Sequence, residues 1–150
     1  MKKNFFALLV AGLAMLTAAG CASSNAEALY EAEKAQDLAE AGKKVCEGLL
    51  EAFKSNDYKS MKLFMVPELS AQYPENVFNQ SRNDMQKTLG EISDYEYLAQ
   101  LKMPILKNMV YRVTFKRTAS DKSVIEQEVL FRVLLSESKG KVRAMSFVFF

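Results

Sequence analysis

The chain has 150 residues, 20 basic and 18 acidic side chains, two cysteines and no histidine. Its charges are interleaved and nearly balanced, so nothing electrostatic argues for nucleic acid or an anionic surface. Without histidine the usual ligands for zinc and haem and the commonest acid–base catalyst are missing, and no metal or cofactor is expected.

The first twenty residues fall into three parts. Met1 to Asn4 is a short positive head, Phe5 to Leu16 is an apolar run of twelve residues, and Thr17 to Gly20 supplies small side chains. That order describes a bacterial secretion signal. Twelve residues make roughly 18 Å of helix against a hydrocarbon core of about 30 Å, so a permanent span is not expected. Ala18-Ala19-Gly20-Cys21 resembles the lipobox of bacterial lipoproteins, although Ala18 stands where leucine is commonest. The resemblance implies that residues 1–20 are a signal peptide and that Cys21 receives a diacylglycerol. It further implies that the chain is cut before Cys21 and acylated on the new amine. Such acyl chains, at about 0.8 kcal/mol per buried methylene, make a lasting membrane anchor. Ala22 is not the aspartate associated with inner-membrane retention, so in a Gram-negative host the resemblance implies the outer membrane, facing the periplasm. The alternative is a plain secreted protein with a cysteine near its start. Cleavage removes Lys2 and Lys3 and no acid, leaving 18 side chains of each sign. With Cys21 as a thioether, Cys46 has no disulfide partner and reads as a small buried hydrophobe.

Ser24 to Glu27 has the form of a capping box, which predicts a helix start and a tether of Cys21, Ala22 and Ser23. Residues 21–37 read as the lipidated N-terminus and a helical spacer of strong helix formers. From there an apolar stripe of Leu38, Ala41, Val45, Leu49 and Phe53, flanked by Cys46, Leu50 and Ala52, predicts a core-facing helix ended by Ser55-Asn56-Asp57. A short second helix is expected over Tyr58–Met65, stopped by Pro67. After a turn at Tyr73-Pro74, a third runs from Glu75 towards Gly90, with Val77, Phe78, Met85 and Leu89 on its apolar side.

Near Ile92 the period changes from 3.6 to 2. Tyr95, Tyr97 and Ala99 alternate with polar neighbours, and Tyr111, Val113 and Phe115 share one face of the next segment. Ile125, Val129, Phe131, Val133 and Leu135 align in the third, and Met145, Phe147 and Phe149 in the fourth. The breaks between them, the first at Pro104 to Asn108, are short and suit antiparallel neighbours. The expectation is one α+β domain over residues 38–150, with N-terminal helices packed on a curved four-stranded antiparallel sheet.

Leu49 to Phe64, "LLEAFKSNDYKSMKLF", joins an amphipathic helix, a small-Asn/Asp-aromatic corner and a short helix ending in Phe. With Leu89-Gly90 before the first strand and the "VYRVTF" and "GKVRAMSFVF" segments, this resembles the nuclear transport factor 2-like superfamily. More narrowly it is similar to small bacterial members found among secreted proteins and lipoproteins. The resemblance covers about residues 38–150 and implies a cone-like roll with a pocket between helices and sheet. It leaves activity open, because the superfamily holds isomerases, dehydratases, transport factors and assembly modules.

Two kinds of site follow. An adaptable pocket within the cone would be lined by Met61, Phe64, Met85, Phe115, Phe131 and Phe147, with Tyr95, Tyr97 and Tyr111 as its polar groups, and would suit an apolar small molecule. An isomerase- or dehydratase-type enzyme would use those tyrosines, but needs a carboxylate base, and the sheet offers none of the right parity. Asp94, Glu96, Glu126 and Glu128 fall on the opposite face. There Glu126 and Glu128 are placed to pair with Arg112 and Lys116. That face also carries Val110, Leu130, Leu134, Val142 and Val148, which suggests a homodimer or an envelope-protein partner. The alternative is cover by a loop or by the N-terminal helix. A non-catalytic binding module is the leading reading.

Overall fold

The computed structural model describes residues 19–150 except 102, 104 and 105, and side-chain surroundings from Ala32 onward. The positive head and the apolar run therefore lie outside the described residues. The chain divides into two compact units, Met1–Asp37 and Leu38–Phe150. In the first, the described part is helical throughout, and its side chains from Ala32 to Asp37 are exposed. No described helix is long and apolar enough to cross a membrane.

Helix α1 runs from Ala19 to Ser55 without a break. Ser24 therefore lies inside the helix and not at its start, and Cys21, Ala22 and Ser23 are helical instead of a tether. An N-cap needs a non-helical residue before it, and the alanine-rich stretch around Ser24 favours helix on both sides. The far end of α1 follows the expected chemistry. Asn56 takes φ 58°, the left-handed conformation that asparagine tolerates at a helix end. Asp57 then caps α2 (Tyr58–Phe64) by accepting from the Ser60 amide at 3.0 Å. The hydroxyl and amide of Ser60 hold the Asp57 carboxyl below its usual range.

Pro67 does more than stop α2. It opens a further short helix, α3 (Pro67–Gln72), where its missing N–H and preset φ cost nothing. Helix α4 spans Glu75–Thr88 and ends before Gly90, which has φ 102°. The Arg82 side chain of α4 donates to the Phe53 carbonyl at the end of α1, 3.0 Å away.

Four antiparallel strands follow, β1 (Glu91–Leu101), β2 (Lys107–Thr118), β3 (Val124–Ser138) and β4 (Lys141–Phe149), in the order β1-β2-β3-β4. The unit Leu38–Phe150 is thus an α+β fold with helices before a curved, unclosed sheet. One face of that sheet meets Val45, Cys46, Leu49, Leu50 and Phe53 of α1 in a shared core. Three register shifts interrupt the ladders, and two of them turn side chains away from the face expected of them. A bulge where Leu134/Leu135 meet Ser146/Ala144 gives β4 an extra residue. Met145, expected inside, is 42% exposed, while Ala144 is buried and Val142, expected on the outer face, packs against the core. A register shift between Tyr97 and Ala99 likewise pairs Ala99 with Val110, away from the face of Tyr95 and Tyr97.

Candidate functional site

The residues expected to line a pocket come together on the inner face of the sheet, and they fill it with one another. Met61, Tyr111, Phe115 and Phe131 are at most 1% exposed, and Phe64, Met85, Tyr95, Tyr97 and Phe147 are partly buried against the same core. Phe131 lies 6.2 Å from Phe147 and 4.5 Å from Phe149, centre to centre. Phe53 from α1 meets both Phe147 and Phe149 edge-on, at 5.9 and 5.5 Å. Offset and edge-to-face rings at these separations are favourable contacts beyond the area they bury. The cleft beside Met85 and Phe115 has a volume of only about 20 Å³, room for about one water.

Cys46 belongs to this core. Its thiol points at the Met109 sulfur, 3.8 Å away, and burial pushes its pKa up to about 12. It is a packed small side chain, not a nucleophile.

The three tyrosines meet partners that strand parity does not suggest. The Tyr95 hydroxyl donates to Glu51 Oε1 at 2.9 Å, and the Tyr111 hydroxyl to Glu47 Oε1 at 3.5 Å. The Tyr97 ring stands 5.5 Å from Tyr111 and carries the Lys43 ammonium 4.8 Å over its centre. Lys43, Glu47 and Glu51 recur every fourth residue on α1, so they form one stripe along the helix. That spacing is visible in the sequence. What it faces is not. Burial, with the neighbouring glutamates adding to it, raises the Tyr95 pKa to about 12. Burial chiefly, then Cys46 and Glu47, pushes Tyr111 well above the usual phenol range. Both phenols are neutral donors at physiological pH, committed to carboxylates of the same chain.

The outer face carries the expected ion pairs. Lys116 Nζ is 2.7 Å from Glu126, and Arg112 bridges Glu128 at 3.7 Å and Glu96 on the other side. It also has a cleft of about 170 Å³, lined by Asn108, Arg132, Leu134, Ser146 and Val148 with Met103 at one side. Leu134 and Val148 lie on this face as expected. Asn108, in contrast, falls in a stretch that reads as a break between strands, and no pattern in the sequence singles out Arg132. No group of acidic or cysteine side chains that could hold a metal ion occurs among the described residues.

The sequence matches no protein-family model and no curated protein. Among solved structures it is similar to Aln2 from a Streptomyces species, with a TM-score of 0.52 and 10% identity over 75% of this chain and 89% of that one. It is also similar to RPA3114, a SEC-C motif containing protein from Rhodopseudomonas palustris, at 0.49 and 12% over 65% and 70%. A third likeness is to an NTF2-like protein of unknown function from Shewanella oneidensis, at 0.45 and 11% over 73% and 95%. The likeness to Aln2 is one of fold.

Proposed function

We propose that this protein is an envelope lipoprotein, held at the membrane through Cys21, whose nuclear transport factor 2-like domain is a non-catalytic binding module. The contrast between the two faces of the sheet supports the binding part of this reading. On the inner face, aromatic rings occupy the space between sheet and helices, and the Tyr95 and Tyr111 hydroxyls are bonded to Glu51 and Glu47. On the outer face, open volume lies beside the Asn108 side-chain oxygen, which has no partner among the described residues. A site that binds needs accessible space and unspent hydrogen-bonding capacity together, and the outer cleft has both.

The anchor rests on the tripartite N-terminus and on Cys21. Its test is the intact mass of the full chain, expressed in a Gram-negative host and extracted from membranes. The expected product begins at Cys21 and carries diacylglycerol, and Cys21→Ser abolishes both features. A free thiol at Cys21 in a water-soluble product would end the lipoprotein reading. Native mass spectrometry of the same preparation tests the module: a retained small-molecule mass supports it. A bare dimer would instead favour self-association through the outer face.

One observation favours an isomerase- or dehydratase-type enzyme, namely the tyrosine–glutamate pairs on the inner face. That reading requires Tyr111→Phe to abolish turnover of some carbonyl substrate while leaving the fold intact.

A further inference from the structure

On the outer face Asn108, Leu134 and Ser146 stand opposite one another on β2, β3 and β4, and Arg132 and Val148 form the next row. Asn108 is 8% exposed, and its side-chain oxygen is buried with no hydrogen-bond partner among the described residues. Its amide nitrogen donates to the Met103 sulfur, 3.8 Å away. A buried carbonyl oxygen without a donor is costly, so an N–H or O–H brought by a ligand would be favourable at this position.

Arg132 presents the complementary need. Its guanidinium lies 5.7 Å from the centre of the Phe150 ring, within the range of a cation–π contact. Arg112 and Lys116, on the same face, are paired with glutamates, whereas no carboxylate among the described residues reaches Arg132. The guanidinium fork is therefore free to take a carboxylate through two parallel hydrogen bonds. Asn108 and Arg132 are diagonal neighbours across the β2–β3 pair, about 7–8 Å apart at their Cα atoms. A group with an acceptor pair and a donor on adjacent atoms spans that gap between two side chains. Leu134 and Val148 supply apolar walls, and the volume of about 170 Å³ is close to that of a cavity that takes a single benzene ring.

We propose that this cleft binds a hydrophobic amino-acid carboxylate, free or at the end of a peptide. Arg132 takes the carboxylate, the Asn108 oxygen accepts the adjacent N–H, and Leu134 and Val148 receive the side chain. The proposal rests on the binding-module reading and gives that module its ligand chemistry.

The test is titration calorimetry on the full chain in non-ionic detergent. The probes are N-acetyl-L-phenylalanine, its carboxamide, and an eight-residue peptide ending in phenylalanine. The acid binds and the carboxamide binds at least roughly ten-fold more weakly, because the charge-assisted pair is lost. Arg132→Gln weakens binding of the acid by a similar factor, and Asn108→Ala weakens it too. Arg112→Gln, which changes a paired arginine on the same face, leaves it unchanged. Equal affinity for the acid and the octapeptide identifies a single residue as the recognised unit. Tighter binding of the octapeptide identifies a peptide terminus. Equal binding of acid and carboxamide, indifference to Arg132→Gln, or no binding of any probe at millimolar concentration would overturn the proposal. A small-molecule mass retained by the protein and undisturbed by Arg132→Gln would leave the binding module standing without this cleft as its site. No carboxylate binding by a bare protein would remove both.

Discussion

Two glycines with left-handed backbones offer a controlled test of how the helices join the sheet. Gly90 (φ 102°) links α4 to β1, and Gly140 (φ 72°) sits in the β3–β4 turn. Alanine at either position incurs the left-handed penalty of about 1–2 kcal/mol. At Gly140 a methyl group meets nothing within 4 Å, so Gly140→Ala should lose about that much and no more. At Gly90 the methyl group would overlap the Lys116 carbonyl oxygen and lie 2.6 Å from its carbonyl carbon. Lys116 pairs with Glu91 at the start of the β1–β2 ladder, so the backbone there must move and surrender ladder bonds. At about 1 kcal/mol for each of one or two lost hydrogen bonds, Gly90→Ala should cost about 2–4 kcal/mol. The gap between the two variants, about 1–2 kcal/mol, corresponds to about 4–8 °C in Tm for a domain of this size. Urea unfolding of the full chain, followed by near-ultraviolet circular dichroism of its tyrosines, measures both. Equal losses would refute the argument, because they would mean that the β1–β2 ladder yields to Gly90→Ala without cost.

Three further outcomes follow from the side chains. Tyr95 ionises near pH 10 when unfolded and near 12 when folded, so its contribution to stability is complete below about pH 10 and disappears between there and about 12. Glu51→Gln should bring the folded value down, visible by carbon-13 NMR of the tyrosine ring, and an unmoved titration would deny the Tyr95–Glu51 bond. Cys46 should resist iodoacetamide at neutral pH and react once urea opens the core; peptide mapping of native protein that finds it alkylated at the unfolded rate would contradict its burial. Arg112→Ala removes two exposed ion pairs and should cost less than about 1 kcal/mol, a loss that shrinks in molar salt. A loss above about 2 kcal/mol at Arg112 would show that the pairs are not solvated surface contacts.

Local periodicity was enough to place the strands and every helix but α3. The change from a 3.6-residue to a 2-residue repeat marks where helices give way to strands, and short breaks make those strands antiparallel neighbours. Parity along a regular ladder also placed the partners of Glu126 and Glu128, because β2 and β3 pair without a shift over that stretch. The same parity failed at Met145, which is itself the inserted residue of a bulge, and at Val142 and Ala99, each beyond an insertion that exchanges the two faces. Pro67 and Ser24 show a second limit. A proline that ends one helix can open the next, and a capping pattern acts only where the chain before it is not already helical.

The candidate sites lay furthest from view, for a reason rooted in distance along the chain. Glu47 and Glu51 meet Tyr111 and Tyr95 across 64 and 44 residues, and the orphaned oxygen of Asn108 shares a cleft with Arg132 only because two strands lie side by side. Sequence alone determined which faces are apolar along the uninterrupted stretches, since that depends on neighbours three or four residues away in a helix and two in a strand. Only the tertiary structure decided which polar groups found partners and which were left over, because hydrogen bonds and ion pairs are settled by positions that packing brings together.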